Sequence, residues 1–298
     1  HICGAIPAAN LRLADYNLEP VGSGPYAFAS YRKRKDGFIS EYRFVANQFY
    51  SSDKALIKEL KFKFFPNYEE AIAAFNKKEI DGLGALPPAD LTSLKIGHQI
   101  QELNIPRYYA IFFNPGTQLA LKNKEVREAL ASATDRHKII QVALNGRGRP
   151  IAGPIYPGLE GYDGQLEIGL DFSLSAAEAV LEKHQWQPDQ DGIRTKRLGK
   201  DQVRLDFEII VPQIDFLIKA VEVIKSDWGQ IGVKLTPIIL SPSEIASDII
   251  KTRNYQMIIF GNILKISPDI FSFWHSSERF HPGLNLAFYE NKAIDDLL

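Results

Sequence analysis

The chain has 298 residues, of which 45% are hydrophobic and 24% are charged, and its formal net charge is -1. This is the profile of an ordinary globular protein, and at about 150 residues per domain the length predicts two domains. A nearly neutral chain lacks the basic field of a general nucleic-acid binder, so we expect no nucleic-acid partner. The single cysteine, Cys3, excludes an internal disulfide. No apolar run approaches the roughly 20 residues of a membrane-spanning helix.

The first pattern that suggests chemistry is "GSGPYA" at residues 22–27, which fits the Gly-x-Gly-x-x-Ala form of a dinucleotide-binding turn. That turn requires a buried strand before it and a helix after it. Here the preceding stretch is polar, and Pro25 removes a backbone N–H that a phosphate would need. The following residues are aromatic and alternate, with Asp36-Gly37 between two such runs, which predicts a hairpin over residues 26–46. We therefore interpret the glycines as a tight entry into a hairpin.

The rest of the first third has mixed strand and helix signals. Asn67 followed by Glu70 resembles a capping box at a helix start. The two prolines at 87 and 88 suit the start of another helix. We predict strands over residues 57–65, 80–86, 98–104 and 107–114, and helices over residues 67–79 and 87–95.

Two consecutive helices are predicted over residues 123–148, because Asp135 is a good N-cap for the second and Asn145-Gly146 a good end for it. A loop rich in proline, glycine and tyrosine follows at residues 149–165. Loops of that length inside a compact domain are usually functional. Ser175 is the predicted N-cap of the next helix.

Residues 203–262 read as strand, helix, strand, helix, strand. This order predicts a parallel sheet with right-handed crossovers. In such sheets, ligands bind beyond the carboxyl ends of the strands. The stretch 261–277, "GNILKISPDIFSFWHSS", follows the last strand and is therefore placed at the mouth of a candidate site. Its aromatic residues suit either a core or a pocket lining.

Signals for enzymatic chemistry are weak throughout. Ser51-x-x-Lys54 matches the nucleophile box of serine acyl-enzymes, but the partner motifs of such enzymes are missing. His275, Glu278 and His281 match no zinc spacing, and a polar loop explains them better. We therefore predict no catalytic residue, no cofactor and no metal site.

Several segments in chain order resemble the family 5 extracytoplasmic solute-binding proteins, which serve peptide and nickel ABC importers. They are "NLEPVGSGPYAF", "YYAIFFNPG", the helix pair "NKEVREALASATDRHKIIQVALNGRG" and the ending "SPDIFSFWHSSERFHPGLNLAFYENKAIDDLL". The resemblance implies an α/β fold with a two-lobed, periplasmic-binding-protein-like architecture of type II, cluster C. It also implies a monomeric receptor outside the cytoplasm, periplasmic or lipid-anchored, that closes about a hinge and delivers its ligand to a membrane permease. We expect the chain to be a fragment of such a protein, incomplete at both ends.

By this resemblance, residues 1–109 belong to the first lobe, residues 110–298 form most of the second, and the hinge lies near residues 109–114. Peptide-binding members commonly place an aspartate shortly before the Pro-Asp of the site loop, where it pairs with the free α-amino group of the ligand. Here no acid stands between Leu264 and Ser267. An ammonium buried without a partner is costly, so ordinary peptide binding through a free amine is not expected unless Asp269 serves instead.

The candidate ligand is therefore an oligopeptide-like or other small solute. In the candidate site, asparagine and serine would supply directed hydrogen bonds, and aromatic rings would supply flat apolar area. Asn285, like Tyr289, is the weaker kind of candidate, more suited to holding the loop in place. An open alternative is a cytosolic two-domain α/β enzyme or the ligand-sensing module of a transcriptional regulator. The candidate ligand-binding residues are Asn262, Ser267, Asp269, Phe271, Phe273, Trp274 and Asn285.

Overall fold

The structure is a computed structural model that describes residues 17–103, 107–155, 157–159, 161–166, 171–263 and 270–298. It divides into two compact units, His1–Ile100 and Gln101–Leu298. The predicted lobe boundary at residue 109 falls inside a strand of the second unit, Arg107–Phe113. The assignment of these units to two lobes stays a prediction.

The first unit contains a three-stranded antiparallel sheet in the order β1-β2-β3. The predicted hairpin is confirmed, with Gly37 at its turn in the left-handed region (φ +91). Pro25 leads directly into β1, so the "GSGPYA" stretch enters a strand rather than a helix. The side chain of Asn67 accepts from the backbone N–H of Glu70 at 2.9 Å and caps the predicted helix. The described elements are β1 Tyr26–Lys33, β2 Ile39–Ala46, β3 Glu59–Lys63, α1 Tyr68–Asn76 and a 3-10 helix over Pro88–Ser93.

Two strand predictions in this part of the chain are wrong. Residues 80–86 form bends and irregular chain, and residues 98–103 belong to no strand or helix. Both stretches contain the apolar residues of a short strand, but neither has a neighbouring strand to complete a ladder. An extended run becomes a strand only when its backbone groups find partners, and the local sequence does not show those partners.

The second unit contains a four-stranded sheet in the order β4-β10-β8-β9. The three strands β8, β9 and β10 are parallel, as the strand-helix alternation predicts, and β4 pairs with β10 in antiparallel register. The described elements are β4 Arg107–Phe113, α2 Lys124–Ser132, α3 Arg136–Leu144, α4 Leu174–Lys183, β5 Gln187–Pro188, β6 Arg194–Leu198, β7 Asp201–Arg204, β8 Asp206–Pro212, α5 Asp215–Gln230, β9 Lys234–Leu240, α6 Pro242–Glu244, a π-helical turn Ile245–Ile249, α7 Ile250–Thr252, β10 Met257–Ile263, α8 Phe271–Trp274 and α9 Lys292–Asp295, with 3-10 turns over Leu119–Lys122, Gly164–Leu166 and Ser276–Arg279.

Helix ends in this unit follow local chemistry. Asp135 accepts from the backbone N–H of Lys138 at 2.9 Å, and Asn145 ends α3 in the left-handed conformation (φ +50), both as predicted. The N-cap of α4 is Ser173 rather than the predicted Ser175, and its hydroxyl accepts from the N–H of Ala176 at 3.1 Å. Both serines suit a cap, and the extended backbone at Ser173 decides which one serves.

The four-stranded sheet buries both faces, as expected when helices cross over parallel strands. We call the face that carries Ile209 and Met257 the first face; α2, α4 and α5 cover it with close apolar packing. We call the face that carries Ile210 and Ile258 the second face; the turn over residues 242–252 and the residues after 270 cover it. Among the residues that the structure describes, no helix is both long enough and apolar enough to cross a membrane.

Candidate functional site

Asn262 is the predicted site residue that lies at the carboxyl end of β10. It is 4% exposed and pairs in register with Tyr108 of β4. Its side-chain Nδ2 donates to the Tyr108 hydroxyl at 2.9 Å. Asn262 therefore belongs to the strand itself, and its amide is committed to a neighbour rather than projecting from a loop.

The Tyr108 hydroxyl is the polar centre of this corner of the second face. Burial raises the pKa of this hydroxyl, and the hydrogen bond from Asn262 offsets only part of that shift. It is therefore a neutral donor and acceptor at physiological pH. The indole N–H of Trp274 approaches the same hydroxyl, but Nε1 of Trp274 makes no hydrogen bond of ordinary geometry with any described residue.

The three aromatic candidates lie together on α8, a single helical turn. Phe273 packs into the apolar cluster of the second face. Phe271 is 36% exposed and stacks on the ring of His275, with centroids 4.2 Å apart. The Trp274 ring meets the Tyr289 ring edge to face at 6.2 Å. The two readings of the aromatic run therefore both apply: Phe273 and Trp274 are half-buried, with Phe273 packed against the core cluster, whereas Phe271 is exposed.

Asn285 is wholly buried, and its amide is used within the protein. Nδ2 donates to the carbonyls of Trp274, His275 and Tyr289 at 3.2, 3.2 and 2.9 Å, and Oδ1 accepts from the Tyr289 N–H at 3.1 Å. These bonds join the end of α8 to the later residues 285–289 of the chain. In this structure Asn285 holds the segment in shape, and a direct bond from it to a ligand stays a prediction.

The remaining two candidates, Ser267 and Asp269, lie outside the described residues. The same is true of residues 264–266, on which the argument about a missing acid depends. That argument therefore stays a prediction. The described part of the site is Tyr108 with Asn262 and the stretch that follows, which we call the 270–290 segment.

Known proteins with the same pattern identify the class of this chain. The family described as "Bacterial extracellular solute-binding proteins, family 5 Middle" matches residues 4–280. The chain belongs to this family. It is 25% identical over 308 residues to the oligopeptide-binding protein AppA of Bacillus subtilis (strain 168), an alignment that covers 100% of this chain and 54% of that protein. The chain thus spans about half the length of the curated relatives it matches.

Solved structures of three other proteins share the fold. The structure of AppA in complex with a nonapeptide matches with a TM-score of 0.74 at 24% identity, over 100% of this chain and 58% of that one. The substrate-binding protein CtaP of Listeria monocytogenes matches with a TM-score of 0.80 at 21% identity, over 100% and 57%. NikZ of Campylobacter jejuni in complex with Ni(L-His) matches with a TM-score of 0.74 at 22% identity, over 99% and 58%. The α/β, periplasmic-binding-protein-like fold class predicted for this chain is confirmed.

Three residues that support the site were missed from the sequence. Tyr108 could have been found, because alternation in "RYYAIFF" places it on the face opposite to Tyr109. Arg253 and Tyr255 precede β10 and bond to backbone carbonyls of the 270–290 segment. Their partners lie 26 to 31 residues away along the chain, so no local pattern reveals them.

The polar loop that was weighed as a metal site has a structural explanation. Nδ1 of His275 accepts from the backbone N–H of Ser277 at 3.1 Å and so starts the following 3-10 turn. Within the described ranges, no group of three or more histidine, cysteine, aspartate or glutamate side chains is arranged to hold a metal ion. The carboxylate of Asp295 accepts from the Ser276 N–H at 2.9 Å, and the hydrogen bonds from the side chain and the backbone of Ser276 lower the pKa of that carboxyl.

Proposed function

We propose that the full-length protein is the extracytoplasmic solute-binding receptor of an ABC importer, without catalytic activity. It captures an oligopeptide-like or other small solute between two lobes and delivers it to the permease. The observation that carries the proposal is the family match over residues 4–280. Lobe closure stabilised by the ligand is the mechanism this family membership favours.

The geometry of the second unit supports a binding role at one edge of the sheet. The carboxyl ends of parallel strands are the usual place for ligands in such folds. At that end of β10, Asn262 and Tyr108 form a buried polar pair, and the partly covered rings of Phe271 and Trp274 follow in the chain. A few convergent polar groups beside aromatic surface are typical of small-solute sites.

The fold alone does not determine which class of ligand is bound. AppA is solved with a nonapeptide and NikZ with Ni(L-His), on the same fold. The lack of an acid between Leu264 and Ser267 favours a solute that does not present a free α-amino group there. We therefore propose a ligand other than an ordinary peptide with a free amino terminus.

Native mass spectrometry of the gently purified full-length protein tests both the receptor role and the class of ligand. One discrete adduct supports a narrow, non-peptide ligand. A ladder of peptide-sized adducts supports the receptor but contradicts the argument from the missing acid. A protein without adducts that shows no thermal shift with di- to nonapeptides, with nickel and histidine, or with a panel of non-peptide solutes contradicts the receptor itself.

Trp274 gives a residue-level test. Replacing it with alanine removes a flat ring and a donor, so the dissociation constant for the identified adduct should rise by about tenfold or more, the loss expected at an aromatic binding residue. Titration calorimetry measures the change. Phe280→Ala is the matched control, because Phe280 lies on the same 270–290 segment but is 65% exposed. Equal affinity in the two variants would remove Trp274 from the site.

A further inference from the structure

Arg253 is a buried arginine directly before β10. It is 5% exposed, and its guanidinium donates to three backbone carbonyls. Nη1 reaches Ile250 at 2.9 Å, Nε reaches Arg279 at 2.9 Å, and Nη2 reaches Gly283 at 2.6 Å. Two of these three carbonyls belong to the 270–290 segment.

Two features of Arg253 are unfavourable for folding by themselves. Its backbone lies in the left-handed region (φ +58), where glycine is favoured over any residue with a Cβ. Its charge is buried, and none of the described acidic side chains pairs with it; desolvation lowers the pKa of the guanidinium. A buried cation is tolerated only when its donors are satisfied, and here backbone carbonyls satisfy them. The side chain therefore serves the segment it bonds to.

The backbone that carries Arg253 is itself fixed. Nδ2 of the buried Asn114 donates to the Arg253 carbonyl at 3.0 Å. The Tyr255 hydroxyl donates to the carbonyl of Leu286 at 2.6 Å, and burial raises the pKa of that hydroxyl. The guanidinium thus extends from a rigid corner of the sheet to the turn over residues 279–283.

From that turn, a short path of bonds leads to α8. Gly283 accepts from Arg253, and the next residue, Leu284, donates its N–H to the carbonyl of Ser272 at 3.0 Å. Asn285 then bonds to the Trp274 carbonyl. Gly283 has no room for a side chain, because a Cβ there would lie 2.3 Å from the backbone oxygen of Glu278. Three consecutive residues therefore connect the guanidinium to the aromatic turn.

We propose that Arg253 is a positioning residue for ligand recognition, which fixes the orientation of Phe271 and Trp274 through the turn at residues 279–285. The proposal rests on the proposed function, because it assigns these rings to the ligand. Lysine at this position keeps the charge, but its single compact ammonium lacks the planar fork whose three nitrogens meet three separate carbonyls. Glycine relieves the backbone strain but removes the bonds altogether.

The matched control is Arg194, a second buried arginine on the other side of the sheet. It is 6% exposed, and its guanidinium donates to the carbonyls of Ile231 and Trp186 at 2.9 and 2.8 Å and, unlike Arg253, also to a carboxylate, that of Glu182, at 3.3 Å. Each arginine is thus linked to a different tryptophan: Arg194 directly to Trp186, and Arg253 through the turn to Trp274. This pairing allows a crossed experiment.

The experiment uses the full-length protein labelled with 5-fluorotryptophan, without added ligand, and records its ¹⁹F spectrum. Lines are assigned by Trp274→Phe and Trp186→Phe. We expect Arg253→Lys and Arg253→Gly to shift or broaden the Trp274 line and to increase its quenching by acrylamide, with Trp186 unchanged. Arg194→Lys should do the reverse. If Arg253→Gly does not fold, Arg253→Lys decides.

An unchanged Trp274 line in a folded Arg253→Lys variant overturns the proposal, even when the melting temperature falls. A general loss of stability would affect the Trp186 line as well, so it does not produce the pattern that we expect. In native mass spectrometry, the adduct-bound fraction should fall in Arg253→Lys and persist in Arg194→Lys; equal retention in both also overturns it. Failure of the proposed function is a separate result: the protein then carries no adduct, while the Trp274 line still depends on Arg253.

Discussion

The two faces of the four-stranded sheet are built in different ways. On the first face, the regular helices α2, α4 and α5 bury apolar side chains almost completely, and Trp228 is 1% exposed. On the second face, the 270–290 segment has little regular structure and is held by buried polar side chains. Arg253, Tyr255 and Asn285 all bond to its backbone carbonyls.

The difference shows how one sheet can provide stability and recognition on opposite sides. Apolar packing is non-directional and depends on the area removed from water, so it tolerates many sequences. Hydrogen bonds to carbonyls are directional, and each missing partner leaves a buried polar group unsatisfied. The first face should therefore dominate the free energy of unfolding, and the second face should dominate the precision of the aromatic turn.

The largest expected effect is on the first face. Trp228→Ala removes a buried ring whose Nε1 donates to the Leu130 carbonyl and the Thr134 hydroxyl, each at 3.0 Å. We expect the free energy of unfolding to fall by about 3–5 kcal/mol. Urea denaturation of the full-length protein, followed by circular dichroism, measures it. Trp274→Ala is the control on the second face and should cost less than half as much. Equal losses would contradict the division between the faces.

A smaller and more local effect is expected for Asn285→Ala. This change leaves three carbonyls and one N–H without their partner, which should cost about 2–4 kcal/mol in the segment. Hydrogen exchange should accelerate between Trp274 and Tyr289 while the amides of α5 stay protected. Asn254→Ala, at an exposed asparagine, should leave exchange unchanged. Uniform acceleration across both faces would show that the segment is not an independent unit.

The smallest expected effect is a gain in the free energy of unfolding. Asn145 ends α3 with a positive φ, so Asn145→Gly should stabilise the protein by about 0.5 kcal/mol, and Asn145→Ala should destabilise it. Thermal melts compare the two variants. Because α3 packs on the side of the first face, where Ile139 contacts the apolar core, the ¹⁹F line of Trp274 should not move. A moved line would indicate that the two faces are coupled.

The sequence predicted the first face better than the second. Alternation and capping residues such as Asp135 are local, so the helices and parallel strands of the second unit followed from them. The small antiparallel sheet β5-β6-β7 was missed, because its strands are short and polar and lack apolar periodicity. Asn262 and the aromatic turn were placed correctly after the last crossover, but their supports at Arg253 and Tyr255 bond to residues far along the chain.

The sequence by itself determined the family, the alternation of strands and helices in the parallel sheet, and the stretch that carries the candidate site. These depend on periodicity, caps and motifs that act over a few residues. Only the tertiary structure decided how the side chains of that stretch are used: Asn285 bonds to backbone groups of its own segment, Asn262 bonds to Tyr108, and Arg253 bonds to the Gly283 carbonyl. The physical reason is that a buried polar group must find its partner in space, and that partner need not be near in sequence.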